Sequence, residues 1–517
     1  MIRMFRALAA LILTALSASA LAEPADITAA ARGVVRVVIV GTDGETIYPM
    51  SHGSGFAISP TRVVTNAHVL EEAANDPTTR IAIVPSDGGE ADFARIVAVN
   101  SAKDLALLEL MGDLRLPALT LSGIAATDGD EVSAVGYPMN VDRAQGLDIA
   151  DLFRSQPPVK SRGHVSGSRP SRDVDTVLHT AAIARGNSGG PLLDACGRVL
   201  GVNSFGTASD EGGDAEFSFA VSGRELAAFL RAASVPVPVN ALPCRSMAQL
   251  DAAERERLAS EQAAARADLA RRAETSRERR ERARLEAEMA VLADRENAMA
   301  MAGLLILLAA AAGFAAYQFR SREDGGKAMR IAGAVAAAAL VGALAIWFTR
   351  PGLDAIDRRV SEILAGEEGD DAAGSGDGPE STEGEAAKLT CTLDPERSRV
   401  VGEPPVDLAF EWAPGGCVNG RTQYGFADGA WTRLFVPDGE DTVSINRFDP
   451  RTRTFRTDRY PLSRAAMRQA RESRAAYQAP ACGADDAART LGERQSAVAA
   501  LLPAQPTERI VRQCRPR

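Results

Sequence analysis

The chain has 517 residues and a formal net charge of −10, and it is too long for one ordinary hydrophobic core. Its acidic balance comes with no basic cluster beside stacking aromatics, which excludes a surface built to grip a nucleic-acid backbone. Apolarity and charge change sharply along the chain, so several units are expected.

In chain order, residues 1–22 (MIRMFRALAALILTALSASALA) set Arg3 and Arg6 before an apolar stretch and end on Ala20-Leu21-Ala22, a small-x-small cleavage site. This is the pattern of an export signal peptide. Residues 26–240 read as short strands at 34–40, 62–65, 81–84, 105–110, 131–135, 199–202 and 216–221. They are rich in Val, Ile and Leu and punctuated by Gly, Pro, Asp and Asn, an all-β sandwich or barrel pattern.

Residues 247–297 are Ala, Glu and Arg without Pro or Gly, a helix-forming composition worth ~75 Å of helix at about 1.5 Å per residue. Leu250, Leu258, Leu269, Leu285 and Leu292 hold no heptad. The segment is therefore a charged stalk or a coiled coil, and the second reading would make a homo-oligomer. The Arg271 to Arg284 stretch is interleaved with acids and reads as a solvated face, with an anionic lipid or cell-wall surface as its alternative ligand. Two apolar runs follow, 298–319 and 329–348, each long enough to cross ~30 Å of hydrocarbon. The loop between them carries Arg320, Arg322, Lys327 and Arg330, which assigns it to the cytoplasmic side of a membrane hairpin. Residues 366–388 are acidic, Gly-rich and free of aromatics, an expected disordered linker. Beyond it, 390–517 reads as a small α+β module with strands near 431–436 and 441–447 and an Arg-rich helix over 462–476.

The six cysteines, Cys196, Cys244, Cys391, Cys417, Cys482 and Cys514, include no CxxC pair, which argues for disulfides in an oxidising compartment rather than for zinc. Cys196 with Cys244 is the expected pair in the first unit. The other four allow three connectivities, among which spacing does not choose. No metal or other cofactor is expected.

Three distant segments bear on chemistry: VVTNAHVL around His68, DLALLEL from Asp104, and GNSGGPL around Ser188. A serine hydroxyl is a poor nucleophile near neutral pH. It needs an imidazole within hydrogen-bond reach and a carboxylate that fixes the imidazole tautomer. In this order His68 would take the Ser188 proton and Asp104 would hold His68. The glycines flanking Ser188 would let the N–H groups of Gly186 and Ser188 converge on one oxyanion. Of the other histidines, His52, His164 and His179 have no such context, and His179 reads as structural. The chemistry on offer is attack on an acyl carbonyl, with a protein or peptide as substrate. A partner-binding scaffold carrying an idle domain is the alternative.

Residues 30–225 resemble the trypsin-like superfamily, and within it the bacterial HtrA (DegP-like) branch. The matching phrases are GSGFAIS at 53–59, TNAHV at 65–69, DLALLEL at 104–110, ARGNSGGPLLD at 184–194, LGVNSFG at 200–206 and FSFAVS at 217–222. The resemblance implies a chymotrypsin-like fold of two six-stranded barrels with His68, Asp104 and Ser188 in the cleft between them. It also implies an S1 pocket with Ala182 at its base and Ser204, Phe205, Gly206, Ser218, Phe219 and Ala220 in its walls. With no carboxylate at Ala182, a small or medium apolar P1 residue is expected. Ser204 would also hydrogen-bond Asp104. Two departures matter. Asn187 stands where zymogen-activated relatives have Asp, so no activation cleavage is expected, and the stalk and hairpin occupy the place where HtrA relatives carry PDZ domains. By this resemblance the host is bacterial, with the hairpin in the inner membrane and both soluble domains in the periplasm.

Overall fold

The computed structural model describes residues 24–42, 47–76, 78–148, 150–171, 174–207, 217–320, 326–352, 354–374, 386–427, 429–484 and 486–517. The expected signal peptide at 1–22 lies outside the described residues. Those up to Arg255, together with those from Ala386 onward, form one compact unit, and those from Glu256 to Gly374 form a second.

A short helix, α1 (Pro24–Ala31), precedes strands β1 (Val34–Thr42), β2 (Ile47–Ser59) and β3 (Arg62–Thr65). Helix α2 (Glu71–Asn75) then leads into β4 (Arg80–Pro85), β5 (Asp92–Asn100) and β6 (Leu105–Leu110). These six strands close a barrel in the order β1-β2-β3-β6-β5-β4. Successive residues of a strand face opposite sides, and β1 (VVRVVIVGT) is apolar on both because both are covered. Val35, Val37 and Ile39 join Val63, Ile83 and Leu108 in one cluster. Val34 belongs to another, with Phe56, Leu105, Val135, Val199 and Val221. Arg36 is the exception inside β1, a guanidinium with only 1% of its side chain exposed.

The second barrel is built from β7 (Leu121–Ser122), β8 (Glu131–Gly136), β9 (Val159–Ser171), β10 (Val174–His179), β11 (Pro191–Leu193), β12 (Val199–Gly206), β13 (Ser218–Ser222) and β14 (Val239–Asn240). Helix α3 (Met139–Ala144) follows β8, and α4 (Gly223–Ala232) follows β13. Six of the strands close a ring, β11-β8-β9-β10-β13-β12, through a β11–β12 pairing, while β7 and β14 extend from β12. Helix α4 starts on Ser222, whose side chain accepts the Glu225 N–H as an N-cap. Its apolar face, Leu226, Phe229 and Leu230, joins the cluster shared by both barrels. The expected double six-stranded barrel is present. The Cys196–Cys244 disulfide ties the β11–β12 turn to the segment after β14.

Next comes α5 (Met247–Arg320), one continuous helix of 74 residues, so the stalk and the first apolar run are not separate elements. No Pro interrupts it, and extending a formed helix costs little per added residue. Helix α6 (Gly326–Thr349) carries the second run, and α7 (Ala355–Gly374) extends into the expected linker. Within the expected linker at 366–388, residues 366–374 are helical and 387–388 are strand, while 375–385 lie outside the described residues. Helices α5 and α6 are long and apolar enough to cross a membrane. Their apolar parts stay exposed: Leu304 is 64% exposed, Leu307 69%, Val341 66% and Phe348 82%.

The C-terminal module is more sheet than expected. Nine antiparallel strands run β18-β17-β16-β15-β23-β22-β21-β20-β19, made of β15 (Ala387–Leu393), β16 (Leu408–Ala413), β17 (Cys417–Val418), β18 (Thr422–Gln423), β19 (Gly425–Ala427), β20 (Ala430–Phe435), β21 (Thr442–Asp449), β22 (Thr454–Pro461) and β23 (Glu508–Pro516). Helices α8 (Arg464–Ala475) and α9 (Ala487–Ala499) complete it. Phe410, Trp412, Phe448 and Phe455 form its aromatic core. Cys391 pairs with Cys514 and Cys417 with Cys482. The module docks on the barrels within one unit: Arg399 pairs with Asp26 of α1 at a fully buried contact, and Asn240 Nδ2 donates to the carbonyls of Val400 at 2.6 Å and Gly402 at 2.9 Å.

Candidate active site

His68 follows β3, and Asp104 ends the tight turn between β5 and β6. Asp104 adopts a left-handed backbone at φ 52°, a conformation that Asp tolerates better than most side chains. Two bonds hold that turn: Asp104 N–H donates to the Ser101 carbonyl at 3.3 Å, and Asn66 Nδ2 donates to the Asp104 carbonyl at 2.7 Å. The carboxylate thereby meets the imidazole. His68 Nδ1 lies 3.0 Å from Asp104 Oδ1 and 2.9 Å from Oδ2, and the His68 backbone N–H donates to Oδ1 at 3.1 Å. Ser204 Oγ donates to Oδ2 at 2.5 Å, as the sequence led us to expect. Burial opposes ionisation of Asp104, but the bonds from His68 and Ser204 outweigh it and hold the carboxyl below its usual range. An ionised Asp104 at Nδ1 selects the tautomer with its proton there, which leaves Nε2 as a base.

Ser188 sits in the loop between β10 and β11. The loop turns tightly at Gly186 (φ 99°) and Gly189 (φ 87°), and a Cβ on Gly189 would come within 2.2 Å of the Ser54 carbonyl oxygen. The Ser188 carbonyl accepts from Ser54 N–H at 2.9 Å, and Gly189 N–H donates to the Asn203 carbonyl at 2.8 Å. These bonds fix the loop between β2 and β12. The N–H groups of Gly186 and Ser188 make no hydrogen bond among the described residues. The Ser188 hydroxyl donates to the Ser204 carbonyl at 2.8 Å, and among the described residues no bond joins it to His68. Both side chains line one cleft cavity of about 400 Å³, with Ser51, His52, Gly53, Val69, Glu71, Glu72, Met139, Arg185 and Gly186.

None of the seven residues expected around the S1 pocket lines that cavity. Ala182 is exposed, while Ser204, Ser218 and Ala220 are buried. Ser218 Oγ donates to the Ala181 carbonyl at 3.1 Å. Phe205 stacks on Phe219 with ring centroids 4.8 Å apart, and Gly206 lies beside them at the end of β12. The cavity opens instead toward α2 and α3, through Glu71, Glu72 and Met139, which the sequence did not single out, and through His52, which it read as lacking a catalytic context. Only the acidic pair at the start of α2 was visible in the local pattern, and it reads equally well as a helix start.

Residues 53–202 match the profile of the trypsin-like peptidase domain family. The chain carries a trypsin-like peptidase domain. The chain is 33% identical over 204 residues to serine protease Rv3671c of Mycobacterium tuberculosis, covering 38% of this chain and 45% of that one. It is 30% identical over 184 residues to human serine protease HTRA3, covering 35% of this chain and 38% of the relative. Against mitochondrial serine protease HTRA2 of Bos taurus it is 33% identical over 184 residues, covering 35% and 36%. The chain thus spans less than half the length of these curated relatives.

Proposed function

We propose that the peptidase domain hydrolyses peptide bonds through an acyl-enzyme, with Ser188 as nucleophile, His68 as general base and then acid, and Asp104 as the group that orients and charges-balances His68. The observation that carries this reading is the Asp104–His68 pair sharing one cleft with Ser188. Rotation of the Ser188 hydroxyl away from the Ser204 carbonyl brings it to His68 Nε2. The unbonded N–H groups of Gly186 and Ser188 then receive the carbonyl oxygen as it gains negative charge. Losing one such donor costs ~10²-fold or more in turnover. For the S1 pocket, Ala182 and the walls from Ser204 to Gly206 and Ser218 to Ala220 remain our assignment, with a small or medium apolar P1 residue.

We place the domain on the outer face of a bacterial inner membrane, tethered by α5 and α6, for quality control or processing of exported proteins. The exposed apolar surface of both helices supports a lipid environment. All three disulfides lie in the soluble unit, which supports an oxidising compartment. A fluorophosphonate probe tests the enzyme: wild type should label and Ser188→Ala should not. Absence of labelling in both would leave the scaffold reading.

A further inference from the structure

Three buried polar side chains have no part in that mechanism: Arg36 on β1, His52 on β2 and Asp142 on α3. They converge directly behind the oxyanion loop. Arg36 Nη2 donates to Asp142 Oδ1 at 2.9 Å and Nη1 to the Leu152 carbonyl at 3.3 Å, and the guanidinium lies 4.6 Å over the Tyr137 ring. His52 Nε2 is 3.2 Å from Asp142 Oδ2. The three side chains are only 1%, 7% and 12% exposed in the order Arg36, His52, Asp142. A buried ion pair stabilises a fold little compared with apolar side chains that fill the same space. What it supplies is direction.

The direction leads to the oxyanion hole. Asp142 N–H donates to the Pro138 carbonyl at 3.2 Å, and Met139, at the start of the same helix, donates its N–H to the Arg185 carbonyl at 2.7 Å. In a trans peptide the C=O and N–H point opposite ways. A clamp on the Arg185 carbonyl therefore aims the Gly186 N–H away from α3 and into the cleft. The packing is close: a Cβ on Gly186 would lie 2.3 Å from the Tyr137 carbonyl oxygen, 3.0 Å from Met139 N and 3.3 Å from His52 Nε2. The charged and titratable groups facing His52 are Arg36 from β1, Asp142 from α3 and Tyr137 between β8 and α3, and across the cavity His68, Glu71, Glu72 and Arg185. Burial first, and then the Arg36 charge, keep His52 neutral more firmly than a free imidazole, against the pull of Asp142.

We propose that Arg36, Asp142 and His52 are positioning residues that hold the Arg185–Gly186 peptide with its N–H toward the oxyanion, and that protonation of His52 disturbs this hold. A cationic His52 competes with Arg36 for the one carboxylate and sets two positive charges side by side in a desolvated site. Asp142 then shifts, α3 follows, and the Met139 clamp on Arg185 loosens. The inference rests on the acyl-enzyme reading above.

The test uses the full chain in detergent and a fluorophosphonate probe, whose phosphoryl oxygen needs the same two N–H donors. The maximal labelling rate and the half-saturating probe concentration are measured between pH 5 and 8. Asp142→Asn should lower the maximal rate ~10-fold or more, a fraction of what losing a donor outright costs, with half-saturation within about twofold. His52→Gln, which stays neutral throughout this range, should reduce the acid limb from a slope above one to a single ionisation. A maximal rate unaltered in Asp142→Asn, or an acid limb unaltered in His52→Gln, overturns the proposal while the hydrolase reading stands. Should Asp142→Asn fail to fold, the His52→Gln profile decides. A wild type that never labels overturns the acyl-enzyme reading itself.

Discussion

At the scale of single residues, the peptidase domain holds another histidine whose place determines a property of the whole fold. His179 on β10 is fully buried, and burial pushes it down to about 4 from an ordinary 6.5, against a smaller pull from the Ala181 backbone and the Asn203 side chain. The unfolded chain therefore takes up this proton first as pH falls. Stability from this group is complete above the unfolded value of 6.5 and declines between 6.5 and about 4. The full loss is about 3 kcal/mol, of which about 2 kcal/mol is gone by pH 5. Thermal midpoints of wild type and His179→Gln at pH 7.5 and 5 should differ in their pH dependence, with the variant losing less on acidification. Equal losses would remove His179 as the cause. The contrast with the proposed catalytic groups shows which residues a sequence can disclose. His68, Asp104 and Ser188 are legible because nucleophilic catalysis demands those residue types, and the flanking glycines mark the loop. Arg36, His52 and Asp142 are not legible, because they meet only when β1, β2 and α3 come together across 106 positions of chain.

At the scale of elements, legibility followed apolar content. Strands β1, β3, β4, β6 and β8 were readable as Val, Ile and Leu runs, whereas β2 (IYPMSHGSGFAIS) and β9 (VKSRGHVSGSRPS) are half polar or Gly-rich and carry no such run. Pairing with neighbours makes them strands: β2 spans β1 and β3, and β9 spans β8 and β10. The α5 boundary was invisible for the opposite reason, since helix-forming composition runs unbroken from the stalk into the apolar segment. Among connections, Cys196–Cys244 was foreseeable because these are the only two cysteines before the stalk, while the two in the C-terminal module depend on strand neighbours: Cys391 and Cys514 face each other in the β15–β23 register. The first disulfide joins residues 48 apart in sequence. In the chain-entropy picture, a closed loop of that size is worth about 4 kcal/mol against the unfolded state, within a measured range of about 2–5 kcal/mol for native bridges. Replacing both Cys196 and Cys244 by Ala should lower the thermal midpoint of the full chain in detergent by several degrees. It should leave fluorophosphonate labelling at 25 °C intact, because the bridge lies at the far end of β11 and β12 from Ser188. An unmoved midpoint would mean that the contacts around the bridge already restrict the chain.

At the scale of the whole molecule, the deciding fact is that residues on both sides of the two apolar helices build one unit. Arg399 pairs with the buried Asp26, Arg509 pairs with Asp251 in the first turns of α5, and Asn240 holds the carbonyls of Val400 and Gly402. A chain that crossed a bilayer an odd number of times between Asp251 and Arg399 could not make these contacts. With α5 and α6 as the two crossings, both soluble domains would emerge on one side and the Arg-rich connection between the helices on the other, the arrangement that its charge favours. Alkaline phosphatase folds only where its disulfides form, so a fusion after Lys388 should be active and one after Arg322 inactive. An inactive fusion at 388 would mean that the C-terminal module faces a reducing compartment, and both the hairpin and the shared unit would fall with it. The docking predicts a second, independent readout in the same cells. Removing the guanidinium with Arg399→Ala takes its ion-pair partner from a buried carboxylate, a change that costs about 3–5 kcal/mol at such sites. Hydrogen exchange in α1 should then accelerate while β8 and β12, which lie elsewhere in the peptidase barrels, keep their protection; α1 exchanging at the wild-type rate would show that the module is held by its other contacts.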